Sequence, residues 1–485
     1  MNSSKPLKSC YLALDQGGHA TRAILFSQTG ENIFHSEALI DTLEKESYFV
    51  EHDPDAMLRS FAKVIADVSA YTIQHNIKIE AAGLATQRSS FIATDKDGRP
   101  LTNIISWQDR RAYKFFENEQ LDTNLIHQKT GLVANAHYGA SKMQWCIQNI
   151  KQVKSALGQN NLRFAPLASF ILNNILVEKP FVVDPANGSR TLLMNLDQRR
   201  WDQELFTIFQ IPENTLPELK PTRYAFGHIA IASQNVPLTI CTGDQNAAVF
   251  SHGQPTDQQI FINAGTGAFI LSLDKDIKIH PQLLKSVLYD SGTKVLYANE
   301  GTVNGAGRAL NWLAEKHRIS NYENQLAPWI EKCKNPPVFI NGISGVGSPY
   351  WIPDLTSYFD HEAKIESQFV AVTESIVFLI YANIQLMPQA LNPESYILLS
   401  GGLANNTVFC QLLADITRLP VTLSQETEAT AKGLYYLLSA DLKEKIQTRL
   451  VENKQYKPLA NPDLLQRYES WEAKMKKIKS ENSLA

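Results

Sequence analysis

Thr242-Gly-Asp244-Gln-Asn-Ala-Ala248 follows an apolar run, Val236 to Cys241, and its reading decides the fold of this chain. A buried strand that stops at a glycine and one acid, with small residues opening the next element, is a strand–turn–helix junction of an α/β domain. Carboxylates at such strand ends are where α/β enzymes hold general bases. Asp244 therefore has two readings: a base that takes a proton from a hydroxyl, or the cap of the following helix. Alone, the segment favours the cap. The segments around it reverse that order.

Working outward, Tyr11 to Leu14 forms an apolar strand that stops at Asp15, and Gln16-Gly17-Gly18-His19-Ala20 turns into a second run, Ala23 to Phe26. Such a hairpin is either an ordinary turn or one whose backbone N–H groups face a phosphate. Glu31 to Ile40 reads as a third strand. Asp53-Pro54 caps a helix that carries Met57, Leu58, Phe61, Val64, Ile65 and Val68 at helical spacing, a core face without chemistry. Ile79 to Ala85 is a buried strand ending in the polar cluster Thr86-Gln87-Arg88-Ser89-Ser90. Phe91 to Thr94 and Leu101 to Ser106 make a hairpin that ends in Trp107-Gln108-Asp109-Arg110-Arg111. Polar groups beside a tryptophan suit a sugar or polyol, whose hydroxyls need hydrogen bonds and whose C–H face needs an aromatic cover. For Arg110 and Arg111 a structural salt-bridge cluster is the better account. A loop, Asn135-Ala-His137-Tyr138-Gly139, is placed to close over the same site, although His137 alone reads as a satisfied loop histidine.

The second half repeats the opening: strand Gln259 to Ile262, turn Asn263-Ala-Gly265-Thr266-Gly267, strand Ala268 to Leu273. Repetition of a strand–glycine–strand unit implies two related α/β domains with a boundary near residue 250. The expected division is 1–250, 251–440 and a charged helical surface tail, 441–485. Glu300 to Gly307 precedes a helix carrying Leu310, Trp312 and Leu313, and Ser375 to Leu391 reads as a long core helix. Tyr396 to Leu399 ends in Ser400-Gly401-Gly402, before a helix opened by Asn405-Asn406. Strand, diglycine and helix N-terminus form a common nucleotide-binding arrangement. Pro420 to Leu423 is a further strand, and Ala429 to Gly433 begins a helix assigned here to the second domain.

The chain has 485 residues, too many for one core, and a formal charge of −3 with no long basic block. That balance offers nothing to nucleic acid or to an anionic membrane. Small molecules are the expected partners. Five scattered cysteines without metal-ligand spacing are expected to be reduced core residues. With no leader-like apolar segment and no run of membrane-span length seen, a cytoplasmic protein is expected.

Taken in order, the segments LALDQGGHATRAILF, VEHDP, QRSS, ISWQDRRA, TGDQNAAVF, INAGTGAFI, GSPYW, SGGLANN and ETEATAKG resemble the FGGY carbohydrate kinase family, most closely its glycerol kinase-like members. The resemblance implies an α/β fold of two ribonuclease-H-like domains, as in actin and hexokinase, with an interdomain active-site cleft. It also implies an ATP- and Mg2+-dependent phosphotransferase acting on a hydroxyl of a small polyol or sugar. By that resemblance Asp244 is the catalytic base, and Asp15 orients metal and phosphates. Gly17, Gly18, His19, Thr21, Arg22, Gly265, Thr266, Gly267, Gly307, Asn311, Gly401, Gly402 and Asn406 hold the nucleotide. Arg88, Ser89, Trp107, His137, Asp244 and Gln245 hold the polyol. A homodimer is compatible with it.

The departures matter as well. The family's first phosphate loop usually carries three hydroxyl residues where this chain has Gly18, His19 and Ala20. Ser89 stands where glycerol kinases have a glutamate, and His137 where they have a tyrosine. Losing a charged acceptor for a buried substrate hydroxyl costs about 1.5–3 kcal/mol, which points away from glycerol and toward a larger or differently oxidised polyol or ketose. The competing account is a non-catalytic sugar or nucleotide sensor on the same scaffold, prompted by the altered loop. Retention of both acids favours the enzyme.

Overall fold

The computed structural model describes residues 8–46, 48–118, 120–439 and 454–482. The chain divides into two compact units, and they interleave. The first comprises residues 1–255, 286–297 and 426–446; the second comprises 256–285, 298–425 and 447–485. By its contacts the helix Ala429–Leu438 groups with the first unit.

In the first unit a six-stranded sheet has the order Arg223–Ile231, Gln234–Gly243, Ile77–Thr86, Lys8–Gln16, Ala20–Ser27, Asn32–Leu39. The last three strands are antiparallel neighbours, while Lys8–Gln16, Ile77–Thr86 and Gln234–Gly243 run parallel. The parallel trio consists of near-continuous apolar runs because both of its faces are covered. On one face lies the helix Pro54–His75, capped by Asp53 and burying Met57, Phe61, Val64 and Val68 against Leu12, Leu14, Leu25 and Leu84. On the parallel strands sits Ala429–Leu438. A Cβ at Gly83 would lie 3.2 Å from Leu434 Cδ2 and 3.4 Å from Leu438 Cδ1, so glycine lets that helix approach closely. A second sheet of five strands includes Phe91–Asp95 and the short Ile104–Ile105, the hairpin expected from the sequence, together with Leu162–Pro166.

The other large sheet orders Val295–Val303, Ala268–Asp274, Gln259–Ala264, Tyr396–Ser400, Val421–Leu423, with Leu284–Asp290 and Gln455–Tyr456 at its edges. Its core repeats the plan of the first: an antiparallel hairpin, then parallel additions beside the hairpin's first strand. The long helix is Ile365–Ile384, beginning ten residues before the expected Ser375. It is long and apolar enough to cross a membrane by length and composition, contrary to the expectation that no such run exists, but its most apolar 18-residue stretch is 72% buried within the protein. The described tail residues also differ from expectation. The helix Pro462–Asn482 buries Leu464, Tyr468, Trp471 and Met475 in the core of the second unit. Arg467 pins it through a bidentate pair with the buried Glu374, with Nη2 2.7 Å from Oε1. Cys10, Cys146, Cys241 and Cys410 are buried free thiols, used as small core residues.

Candidate active site

Strand register brings the two acids to one level. Asp15 pairs with Ala85, and Ala85 pairs on its other side with Thr242, so Asp15 and Asp244 stand at the C-terminal ends of strands flanking one central strand. In open α/β sheets that edge is where ligands bind. Asp15 is 6% exposed and its Oδ1 has no hydrogen-bond partner. Burial, then the nearby Asp244, and to a lesser extent Glu428, push its carboxyl up to about 7, against the opposing charge of Arg22. Arg22 faces Asp15 across the hairpin, Nη1 to Oδ2 3.9 Å, and also bonds Glu37. Burial likewise raises Asp244, while the charges of Arg88 and Arg190 and the Gln245 amide hold it down.

The cap position of the helix Asp244–Val249 is taken by Gly243, and Asp244 is the first helical residue, its Oδ1 accepting from Gln245 N at 2.7 Å. The absence of a side chain at Gly243 is required by Arg88: a Cβ there would lie 2.5 Å from Arg88 Cδ. The arginine crosses the glycine and donates to Asn246 Oδ1 at 3.0 Å and Gln245 Oε1 at 2.8 Å. From below, Thr430 Oγ1 donates to the Asp244 carbonyl at 3.3 Å. Gly433 admits the contact between the two helices, since its Cβ would fall 1.8 Å from Ala247 O.

Beside the acids lies a polar surface. Ser89 is buried and adopts a left-handed conformation, φ 66°, and its hydroxyl has no partner. Both amide atoms of buried Gln87 are also without partners. Buried polar groups are nearly always satisfied, so these unpaired donors and acceptors are available to a bound hydroxyl compound. Trp107 and His137 pack in a tilted arrangement, 5.5 Å between ring centroids and 56° between ring planes. Burial, with the charges of Arg110, Lys142, Arg190 and Arg88, holds His137 well below the ordinary imidazole range, so the ring is neutral. Arg111 is structural, as expected, bonding Asp109 and Glu51 at 2.7 Å each. Arg110 donates to the Trp107 carbonyl at 2.7 Å.

In the second unit the turn Gly265–Thr266–Gly267 closes with Gly265 N on Gly267 O at 2.8 Å. The amides of Ala306, Gly307 and Arg308 donate to the carbonyls of Thr266, Gly265 and Thr266. Gly307 is needed there, since its Cβ would lie 2.8 Å from Gly265 O. Gly401, at φ 89°, passes so close to Ala264 O that a Cβ would lie 2.5 Å from it, whereas Gly402 has open space. Asn406 caps the helix Thr407–Thr417 by accepting from Val408 N and Phe409 N. Asn311 Oδ1 accepts from Tyr322 Oη at 2.9 Å, and Asn311 lines an open surface depression with Arg318 and Glu323.

Not every expected residue faces the site. Thr21 is fully buried and its hydroxyl bonds Ser60 Oγ at 2.7 Å, on the side of the sheet away from Arg22. The Gly17 amide is spent inside its own turn on Ala20 O at 3.0 Å. Gly18 lies beside Gln87, and the exposed His19 accepts from Ile40 N through its carbonyl. Conversely, Arg190, Lys142, Glu428 and Thr430 act on the site without having been expected there. Only the ETEATAKG run, which contains Glu428 and Thr430, carried a signal.

The chain belongs to the FGGY family of carbohydrate kinases: residues 10–251 match the family's N-terminal domain and residues 260–440 its C-terminal domain. It is thus an ATP-dependent phosphotransferase acting on a polyol or sugar. Among its relatives, the glycerol kinase of Aquifex aeolicus is 30% identical over 440 residues, covering 88% of each chain. That of Enterococcus casseliflavus is 30% identical over 450 residues, covering 89% of this chain and 88% of the relative. Among solved structures, Plasmodium falciparum glycerol kinase with ADP superposes with a TM-score of 0.86 at 22% identity, covering 100% of both chains. Xylulose kinase from Lactobacillus acidophilus gives 0.83 at 19%, covering 98% of both.

Proposed function

We propose that Asp244 takes the proton from the acceptor hydroxyl of a small polyol or ketose, freeing that oxygen to attack the terminal phosphorus of ATP as ADP leaves. The observation that carries this is Asp244 itself: burial raises its basicity while Arg88 and Arg190 keep the carboxylate form accessible. Arg88, Gln245, Gln87 and Ser89 present donors and acceptors to the hydroxyls, and Trp107 with His137 covers the carbon chain. Ser89 replaces a glutamate's reach and charge with a small neutral group, which favours an acceptor larger or more oxidised than glycerol. The nucleotide is assigned to Thr266, Gly267, Gly307, Asn311 and Gly401.

Asp15 fits a magnesium ion: a buried carboxylate with one unpartnered oxygen is a hard anionic ligand. Among the described residues no group of three or more His, Cys, Asp or Glu side chains is arranged to hold a metal. That suits Mg2+, which is usually held by one or two carboxylates together with phosphates and water. When bound, the ion neutralises phosphate charge.

The test is ADP release with Mg-ATP across glycerol, erythritol, pentitols, pentuloses and hexoses. A pentitol, pentulose or tetritol should outpace glycerol, and Asp244→Asn should slow that turnover by about a thousandfold or more while leaving ATP affinity within a few fold. Full activity in Asp244→Asn would remove the base from Asp244.

A further inference from the structure

Lys142, in the helix Gly139–Asn149, is fully buried, and among the described residues no carboxylate lies within salt-bridge range of it. A buried ammonium without an ion-pair partner is costly to the fold. Its hydrogen bonds go instead to two main-chain carbonyls, Ser106 O and His137 O, each at 3.0 Å. Ser106 immediately precedes Trp107. One side chain therefore ties together the backbones that carry both rings of the 5.5 Å Trp107–His137 pair.

The same ring platform is held from two further sides. Ser90 Oγ, from the loop that carries Arg88 and Ser89, accepts from Trp107 N at 3.0 Å, and Arg110 Nη1 donates to Trp107 O. Of these ties, the one through Lys142 alone reaches both rings' loops. Burial, reinforced by Arg110 and Arg111 and opposed by Asp109, lowers its ammonium to about 7. A neutral amine keeps two N–H donors, matching the two carbonyls, so the tie survives in either protonation state.

We propose that Lys142 is a positioning residue for the acceptor substrate: it sets the spacing of the Trp107 and His137 loops and so the width of the polyol platform, without touching the reacting atoms. The inference rests on the polyol-kinase reading above. It locates acceptor affinity in a residue beneath the site rather than in it.

The test compares Lys142→Met, which keeps the length and apolar stem but has no donor, with Lys142→Gln, which keeps two N–H donors on a shorter arm. For whichever acceptor the wild type turns over best, Lys142→Met should raise the acceptor KM tenfold or more, with the ATP KM unchanged within twofold. Lys142→Gln should recover part of the loss. A parallel rise in both KM values, or none in either, would overturn the proposal. Should Lys142→Met fail to fold, Lys142→Gln carries the kinetic comparison, with a several-fold rise confined to the acceptor KM. Hydrogen exchange decides the tie separately from turnover. Amides in residues 107–108 and 137–138 should lose protection in the variants, and unchanged protection there overturns it. A wild type silent on every sugar would count against the kinase reading, and the exchange measurement would still settle the tie.

Discussion

At the residue scale the site concentrates unfavourable burial in its acids. Asp15 ionises near 3.8 when exposed and near 7 in the folded protein. Between those values the native state holds a proton that the unfolded chain has lost, so stability falls as pH rises from about 4 to 7, and above 7 the whole penalty remains. In metal-free buffer Asp15→Asn should therefore stabilise the protein at pH 8, by an amount on the order of a few kcal/mol, and confer no such advantage at pH 4. Thermal melts of the two proteins at both pH values check this; equal melting temperatures at pH 8 would mean that Asp15 is not strained by burial. Both acids were legible from their places at strand ends. Thr21 and Arg22 were both expected at the nucleotide, but side chains alternate across a strand, so the two point to opposite faces of the sheet and the Thr21 hydroxyl is buried on Ser60.

At the element scale, the strands and the capped helix Pro54–His75 follow from local pattern. The C-terminal helix does not. Its many charges describe the face turned to solvent, while Leu464, Tyr468, Trp471 and Met475, spaced at three and four residues, form a stripe that the charges mask. Trp471 packs against Tyr468, Phe378 and Tyr350 with centroids 5.7 to 5.9 Å apart. Trp471→Ala should cost about 3–5 kcal/mol. Chemical denaturation measures it, and a loss under 1 kcal/mol, the scale of a surface change, would return the helix to the solvated tail expected from its charge. The hairpin strand Arg223–Ile231 was likewise unread, since its exposed edge residues interrupt the apolar pattern.

For the whole molecule, sequence order and spatial grouping part company. Residues 426–446 return to the first unit after more than a hundred intervening residues of the second. In that unit Tyr435 packs on Tyr11 and Phe26, and Lys432 bonds the Gly30 carbonyl. A fragment of residues 1–255 should consequently show no cooperative thermal unfolding, because the parallel strands lose the helix that covers them. A fragment melting as sharply as the full chain would show that the helix is dispensable. The chain by itself determined the paired α/β plan, the two acids, the glycine turns and the family, since these rest on local periodicity and on residue types in fixed order. Only the tertiary structure decided that Arg190 and Thr430 act on Asp244, that Lys142 ties the backbones at Ser106 and His137, that the Thr21 hydroxyl is buried on Ser60, and that the final helix is core. Those outcomes depend on register and on long-range packing, which bring distant residues together and which no local pattern encodes.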